Sequence, residues 1–136
     1  MSKEYSLRMK DFNGWNLFKK KLELKDGREA HAYVREVWWC ALGINVGVEI
    51  DGKHENFERP VLILKVYNKD SLFVLPITSK EKEDEFHVSI SSKVGKVRVK
   101  ITQGKVISSK RLLRKIDTVS TSDFLQVKAR FIISLL

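Results

Sequence analysis

Arg59, Thr78 and Ser79 are the residues of this chain whose types and spacing best suit chemistry on an anion. Arg59 stands just before an apolar run, 61–67, and Thr78 and Ser79 follow a second one, 72–77, with the polar residues Asn68, Lys69, Asp70 and Ser71 between. Two buried antiparallel strands around such a turn have little freedom of register. If Tyr67 lies opposite a residue from Asp70 to Leu72, Arg59 lies opposite one from Thr78 to Lys80. One guanidinium and two hydroxyls then share a strand end. A guanidinium can bind two phosphate oxygens at once and stays charged at any relevant pH, so a phosphate group suits that end.

Other chemistries find little support. His31, His54 and His87 show no HxH or HxxxH spacing, so a zinc site is not expected. Glu81, Glu83, Asp84 and Glu85 are interleaved with lysines and read as a solvated loop rather than a magnesium site. Cys40 lies in the apolar run 37–42, where a thiol is buried and inert, and a lone cysteine excludes an intramolecular disulfide. No Walker-type or dinucleotide-binding glycine pattern occurs. The expectation is a site with no metal and no cofactor.

The elements that must position these residues follow from periodicity. In residues 1–30, Phe12, Trp15, Leu17, Phe18, Leu22 and Leu24 recur as on one face of a short helix beginning after Asp11 or Asn13, which reads as an appended helical arm. Asp26-Gly27 reads as a turn, and residues 32–42, rich in β-branched and aromatic side chains, begin the main domain, 31–136. The stretch 43–58 carries Gly43, Gly47 and Gly52 and exceeds a tight turn, so it is expected as a mobile loop, its glycines serving mobility. Residues 86–90 alternate as a half-buried strand. Between 94 and 107, Val97, Val99 and Ile101 alternate with Arg98, Lys100 and Thr102, predicting a one-sided strand with a basic outer face. A short helix over 109–113, capped by Ser108 or Ser109, and a longer one capped within 121–123, with Phe124, Val127, Phe131 and Leu135 on its apolar stripe, complete the chain.

With 136 residues the chain fits one barrel-sized core plus the arm, and 26 Lys and Arg against 17 Asp and Glu leave a formal charge of +9. Such a surplus attracts a polyanion over long range, which makes nucleic acid the first partner to consider. No run approaches the roughly 18 apolar residues of a membrane span, and no apolar signal segment begins the chain. A cytoplasmic protein that does not enter membranes is expected.

Four blocks carry a family resemblance: Glu36-Val37-Trp38-Trp39-Cys40-Ala41-Leu42-Gly43; Gly47-Val48-Glu49; Arg59-Pro60-Val61-Leu62-Ile63-Leu64; and Leu75-Pro76-Ile77-Thr78-Ser79. In order and spacing they are similar to those of the MazF/PemK toxins. Thr102-Gln103-Gly104-Lys105 followed by Ser109-Lys110-Arg111-Leu112 resembles that family's Gln-Ile-Arg block and the helix start after it, with Gly104 and Lys105 replacing Ile and Arg, and Ser108 replacing an Asp. The resemblance runs from about residue 34 to the C-terminus.

It implies a mainly β fold, an SH3-like small barrel of the MazF/CcdB type with short helices and a C-terminal helix, here with the N-terminal arm added. It implies a homodimer that cleaves single-stranded RNA, leaving a cyclic phosphate and a 5′-hydroxyl, and that is inhibited by a cognate antitoxin. Position by position, Arg59 and Thr78 become catalytic and Ser79 supports Thr78. Gln103, Lys105 and the 43–58 loop, with Glu49, Lys53 and Phe57, become RNA contacts. Phe57 has two readings, a stacking platform for a base or a plug in the core. Two alternatives stay open: a non-catalytic barrel of the same fold that binds RNA or a protein such as gyrase, and a binding module that recruits a partner through its arm.

Overall fold

Asp11 starts the first helix, α1 (Phe12–Glu23), by accepting the Gly14 N–H at 2.8 Å. A carboxylate at this position satisfies a donor that the helix itself leaves free. Lys20 and Lys21 in the last turn face the negative end of the helix dipole. The computed structural model describes residues 10–26 and 31–136. Gly27 of the expected turn and the remainder of the arm lie outside the described residues. The helix is docked rather than free-standing: Trp15 and Leu22 bury against Ala41 and Phe57. The Arg111 guanidinium lies 5.5 Å over the Trp15 ring, and Lys25 Nζ donates to the carbonyls of Lys110 and Leu112 at 3.0 and 3.1 Å.

The strands are β1 (Glu36–Ala41), β2 (Glu58–Asn68), β3 (Ser71–Thr78), β4 (His87–Ser92), β5 (Gly95–Lys100), β6 (Lys105–Ser108) and β7 (Leu112–Thr118). All are antiparallel to their neighbours, in the order β4-β5-β3-β2-β1-β7 with β6 also on β3. The result is a small barrel-like sheet that does not close. A last helix, α2 (Thr121–Ser134), is capped by Ser120, whose hydroxyl accepts the Asp123 N–H at 3.1 Å. Phe124 and Val127 of α2 are buried and Phe131 partly so, whereas Leu135 at the end of the expected stripe is exposed.

Both faces of the central strands are covered. Leu62, Leu75 and Ile77 pack toward α2 with Val88, Val97 and Val99, while Val61, Ile63, Leu72 and Val74 pack with Trp38, Cys40 and Leu112. That explains why the runs 61–67 and 72–77 are nearly continuous in apolar character, as in strands buried on both sides. Cys40 is fully buried, and burial pushes its thiol up to about 12. The expectation of an inert thiol fits this environment.

Three expectations need correction. The 94–107 segment is two strands: β5 ends at Lys100 and β6 begins at Lys105 on the other part of β3. Strand β3 changes partner from β6 to β5 around Pro76, whose missing N–H cannot join a ladder. The helix after Ser108 is a single 3-10 turn, Ser109–Arg111, and Leu112 already belongs to β7, which pairs with β1. Register shifts between Val37 and Trp38 and between Trp39 and Cys40 break the alternation that would have marked β7 as a strand. Arg98, expected on an outer basic face, is buried.

Candidate functional site

The β2–β3 register pairs Val61 with Pro76 and Leu62 with Leu75. Continued by two residues, it sets Arg59 opposite Thr78, within the interval expected from the turn. Shifts between Ile63 and Lys65 and between Val66 and Asn68 account for the difference from the Lys80 end of that interval. The Arg59 side chain is then fixed by two carbonyls: Nε donates to Asp51 O at 2.8 Å and Nη1 to Ile77 O at 3.3 Å. Burial lowers its pKa, and the Asp51 charge partly offsets this. A guanidinium stays protonated regardless. Thr78 is buried, and its Oγ1 accepts the Lys80 N–H at 3.2 Å, which leaves the hydroxyl proton able to donate.

The electrostatics around Arg59 are those of an anion site. Among the described residues Arg59 makes no ion pair, because the Asp51 carboxylate is taken by Lys10 Nζ at 3.0 Å and by the Asn45 N–H at 2.6 Å. The neighbouring cation Arg114 is neutralised by a two-pronged pair to Glu58, at 2.9 and 3.3 Å, and stacks 5.0 Å from the Trp39 ring. Among the described residues Lys100 has no such partner. Its ammonium is pushed below the usual lysine range by burial first and then by the Arg59, Lys82 and Lys80 charges. Crowded, unneutralised cations are what a bound phosphate would relieve.

Arg59 lines a groove of about 440 Å³ together with Trp39, Lys53, His54, Glu58 and Ser79. Two of the sequence-predicted residues, Ser79 and Lys53, thus accompany Arg59; Thr78 does not line this groove and is related to Arg59 through the sheet register. Glu49, Gln103 and Lys105 do not. They line a second groove of about 510 Å³ with Asn45, Val48 and Ile50 of the 43–58 loop. The Gln103 carboxamide is committed to that loop, accepting the Ile50 N–H at 2.6 Å and donating to Val48 O at 3.0 Å. Glu49 Oε1 accepts the Val46 N–H at 2.9 Å. Burial lowers the Lys105 pKa, helped by the Arg111 charge.

Phe57 is packed as the plug reading has it. It is buried, with ring centroids 5.7 Å from Trp15 and 6.0 Å from Phe18, so its face is occupied by aromatic neighbours. It ends a tight turn in which Lys53 and Glu58 exchange both backbone hydrogen bonds, at 2.8 and 2.9 Å. Gly43 and Gly52 follow from this packing rather than from mobility. A Cβ on Gly52 would stand 1.6 Å from Phe57 O, and Gly43, at φ +85°, would drive one into the Trp15 ring.

Residues missed by the sequence reading are Trp39, His54 and Glu58 in the Arg59 groove and Lys100 beside it. The alternation of β5 does put Lys100 opposite Val99 and Ile101, but no local signal reveals that β5 joins β3 at Ile77 and Thr78. Among the described residues no group of three or more His, Cys, Asp or Glu could hold a metal ion, and no helix is long and apolar enough to cross a membrane.

Comparison with known proteins bears on the same region. A family model described as the PemK-like, MazF-like toxin of type II toxin–antitoxin systems matches residues 33–135. No curated protein matches the chain by sequence. Among solved structures, MazF from Deinococcus radiodurans superposes with a TM-score of 0.67 at 19% identity, covering 79% of this chain and 98% of that one. An endoribonuclease from a mycobacterial species gives 0.59 at 13% identity, covering 79% and 94%. A mycobacterial endoribonuclease in complex with its cognate antitoxin gives 0.61 at 13% identity, covering 77% and 95%. The arm helix α1 precedes the family match.

Proposed function

Because this chain belongs to the PemK-like, MazF-like toxin family of type II toxin–antitoxin systems, we propose that it is an endoribonuclease toxin that cleaves single-stranded RNA without a metal. The observation that carries this reading is the pairing of Arg59 and Thr78. A guanidinium braced by the Asp51 and Ile77 carbonyls, with no carboxylate partner among the described residues, stands across the sheet from a hydroxyl free to donate. The solved endoribonucleases that share the fold support the same reaction class.

In the proposed reaction the ribose 2′-oxygen attacks its own phosphorus. The bond to the 5′-oxygen breaks, the 2′ proton leaves and the 5′-oxygen gains one, giving a 2′,3′-cyclic phosphate and a 5′-hydroxyl. The intermediate carries more charge on its equatorial oxygens than the substrate does. Donors held in place before that charge develops stabilise it without reorganising. Arg59 stabilises that anion and assists proton transfer, Thr78 donates to a phosphate oxygen, and Ser79 supports Thr78 from the groove wall. Lys53 draws RNA to the groove. Gln103 acts indirectly, by holding the loop whose Asp51 carbonyl positions Arg59, with Glu49 and Lys105 beside it.

The cellular setting follows the same reading: a cytoplasmic homodimer whose substrate is mRNA and whose partner is a cognate antitoxin, as in the mycobacterial complex. The barrel domain is 31–136 and the arm 1–30. The decisive experiment is cleavage of single-stranded RNA in EDTA by the wild type beside Arg59→Ala. Cleavage should persist in the chelator and fall by about 10²–10³-fold in the variant, the usual loss for one such donor. Intact RNA after incubation with folded, antitoxin-free wild type would overturn the proposal.

A further inference from the structure

Arg98 sits in the middle of β5, on the strand face it shares with Lys96 and Lys100, and yet it is only 6% exposed. Its Nε is buried with no hydrogen-bond partner, and no ion pair or hydrogen bond reaches its guanidinium among the described residues. A buried guanidinium N–H left without an acceptor costs folding free energy. Such a group is tolerated where a ligand supplies what the protein does not.

The sheet says where that ligand lies. Arg98 is the cross-strand partner of Thr78, and directly opposed residues of an antiparallel pair project from the same face. Thr78 in turn is opposite Arg59 by the β2–β3 register. A row therefore runs Arg59, Thr78, Arg98 across three adjacent strands, with the hydroxyl between two guanidiniums. At roughly 4.8 Å between strands, the two arginine backbones stand on the order of 10 Å apart, so the two guanidiniums have room to take one each of two adjacent phosphates. Lys100, two residues along β5, adds to the positive field and has no carboxylate partner either among the described residues.

We infer that Arg98 forms a second anion subsite, which takes the backbone phosphate of single-stranded RNA next to the one held at Arg59 and Thr78. The inference rests on the reading of Arg59 and Thr78 as the RNA site. It makes Arg98 a binding residue for the flanking phosphate and gives it no part in the bond cleavage itself.

The test separates binding from cleavage by using an RNA carrying 2′-deoxy substitutions throughout, which cannot undergo the proposed reaction. Binding of this probe is measured by fluorescence anisotropy over a potassium chloride series for the wild type, Arg98→Met, Arg98→Gln and Arg98→Lys. Loss of one phosphate contact should lower affinity about tenfold in Met and Gln and reduce the slope of log affinity against log salt by about 0.7. Arg98→Lys should keep the slope. Melting temperatures supply the readout that a structural arginine would move the other way. Relief of an uncompensated buried charge should leave Arg98→Met as stable as the wild type or more so, and inorganic phosphate should raise the wild-type melting temperature more than that of the variant. Unchanged slopes in the Met and Gln variants, or a fall in melting temperature in both without a change of slope, would overturn the subsite. If the wild type fails to cut ordinary RNA while the slopes respond to Arg98, the nuclease reading falls and the subsite stands; if it cuts RNA while the slopes ignore Arg98, the subsite falls and the nuclease reading stands.

Discussion

Lys10 of the N-terminal arm and Asp51 of the β1–β2 loop form an ion pair at 3.0 Å, and the second oxygen of that carboxylate accepts the Asn45 N–H at 2.6 Å, so both oxygens have partners other than Arg59. The Asp51 backbone carbonyl meanwhile accepts the Arg59 Nε at 2.8 Å. One residue thus braces the guanidinium through its main chain, while its side chain is held elsewhere by an arm that lies outside the family match. Lys10 also donates to the carbonyls of Asn45 and Gly47, at 2.7 and 3.2 Å, so the arm grips the loop at three points.

Removing that grip should cost activity. In Lys10→Ala the Asp51 carboxylate, then held only by the Asn45 N–H, turns its charge on Arg59, and RNA cleavage should fall about tenfold, the effect of one well-placed charge coupling. Adding Asp51→Asn should restore most of it, because the amide oxygen still accepts the Asn45 N–H but carries no charge. A double variant no better than the single would reject this role for the arm.

Thr78→Val keeps the shape of a buried side chain and removes only the hydroxyl. Loss of the bond from the Lys80 N–H should cost about 0.5–1.5 kcal/mol in urea denaturation. Cleavage should fall by a larger factor, about 10²-fold, with most of the change in kcat, as for a donor that acts in the transition state. A stability loss without a rate loss would remove Thr78 from the reaction.

Phe57→Ala should destabilise by about 3 kcal/mol, the usual cost of emptying an aromatic site in a core, because Trp15 and Phe18 lose their common neighbour. Phe57→Leu should recover much of that stability and bind RNA as the wild type does. A leucine variant that is stable yet impaired in RNA binding would reinstate the stacking role.

Glu36 gives a pH dependence. Desolvation of this buried carboxylate works to raise its pKa, but the Lys115 ammonium at 2.9 Å, the Trp38 indole N–H at 3.0 Å and the Tyr33 N–H at 2.8 Å together hold it below the ordinary value of 4.5. A depressed folded pKa contributes stability that is complete above pH 4.5 and is lost as pH falls through the folded value beneath it. Urea midpoints measured from pH 7 to pH 3 should show that loss in the wild type and a flatter profile in Glu36→Gln. Parallel profiles would mean that Glu36 is not a source of the acid sensitivity.

Much of this protein is legible in the order of its residues wherever the controlling interactions are local. The Asn68–Ser71 turn limits the β2–β3 register, so the sequence alone places Arg59 near Thr78. Asp11 marks the start of α1, and the stripe of Phe124, Val127 and Phe131 marks the buried side of α2, because caps and helical spacing act within a few residues. Cys40 among tryptophans reads as inert for the same reason. Tertiary structure alone decided the rest. The switch of β3 from β6 to β5 buried Arg98 beside Thr78. Bulges in β1–β7 pairing erased the alternation of a strand, and the docking of α1 turned Phe57 into a plug and drew Lys10 to Asp51. Each depends on contacts between residues far apart in the chain, and periodicity, which reports only which side of an element is apolar, carries no information about which distant element will cover it.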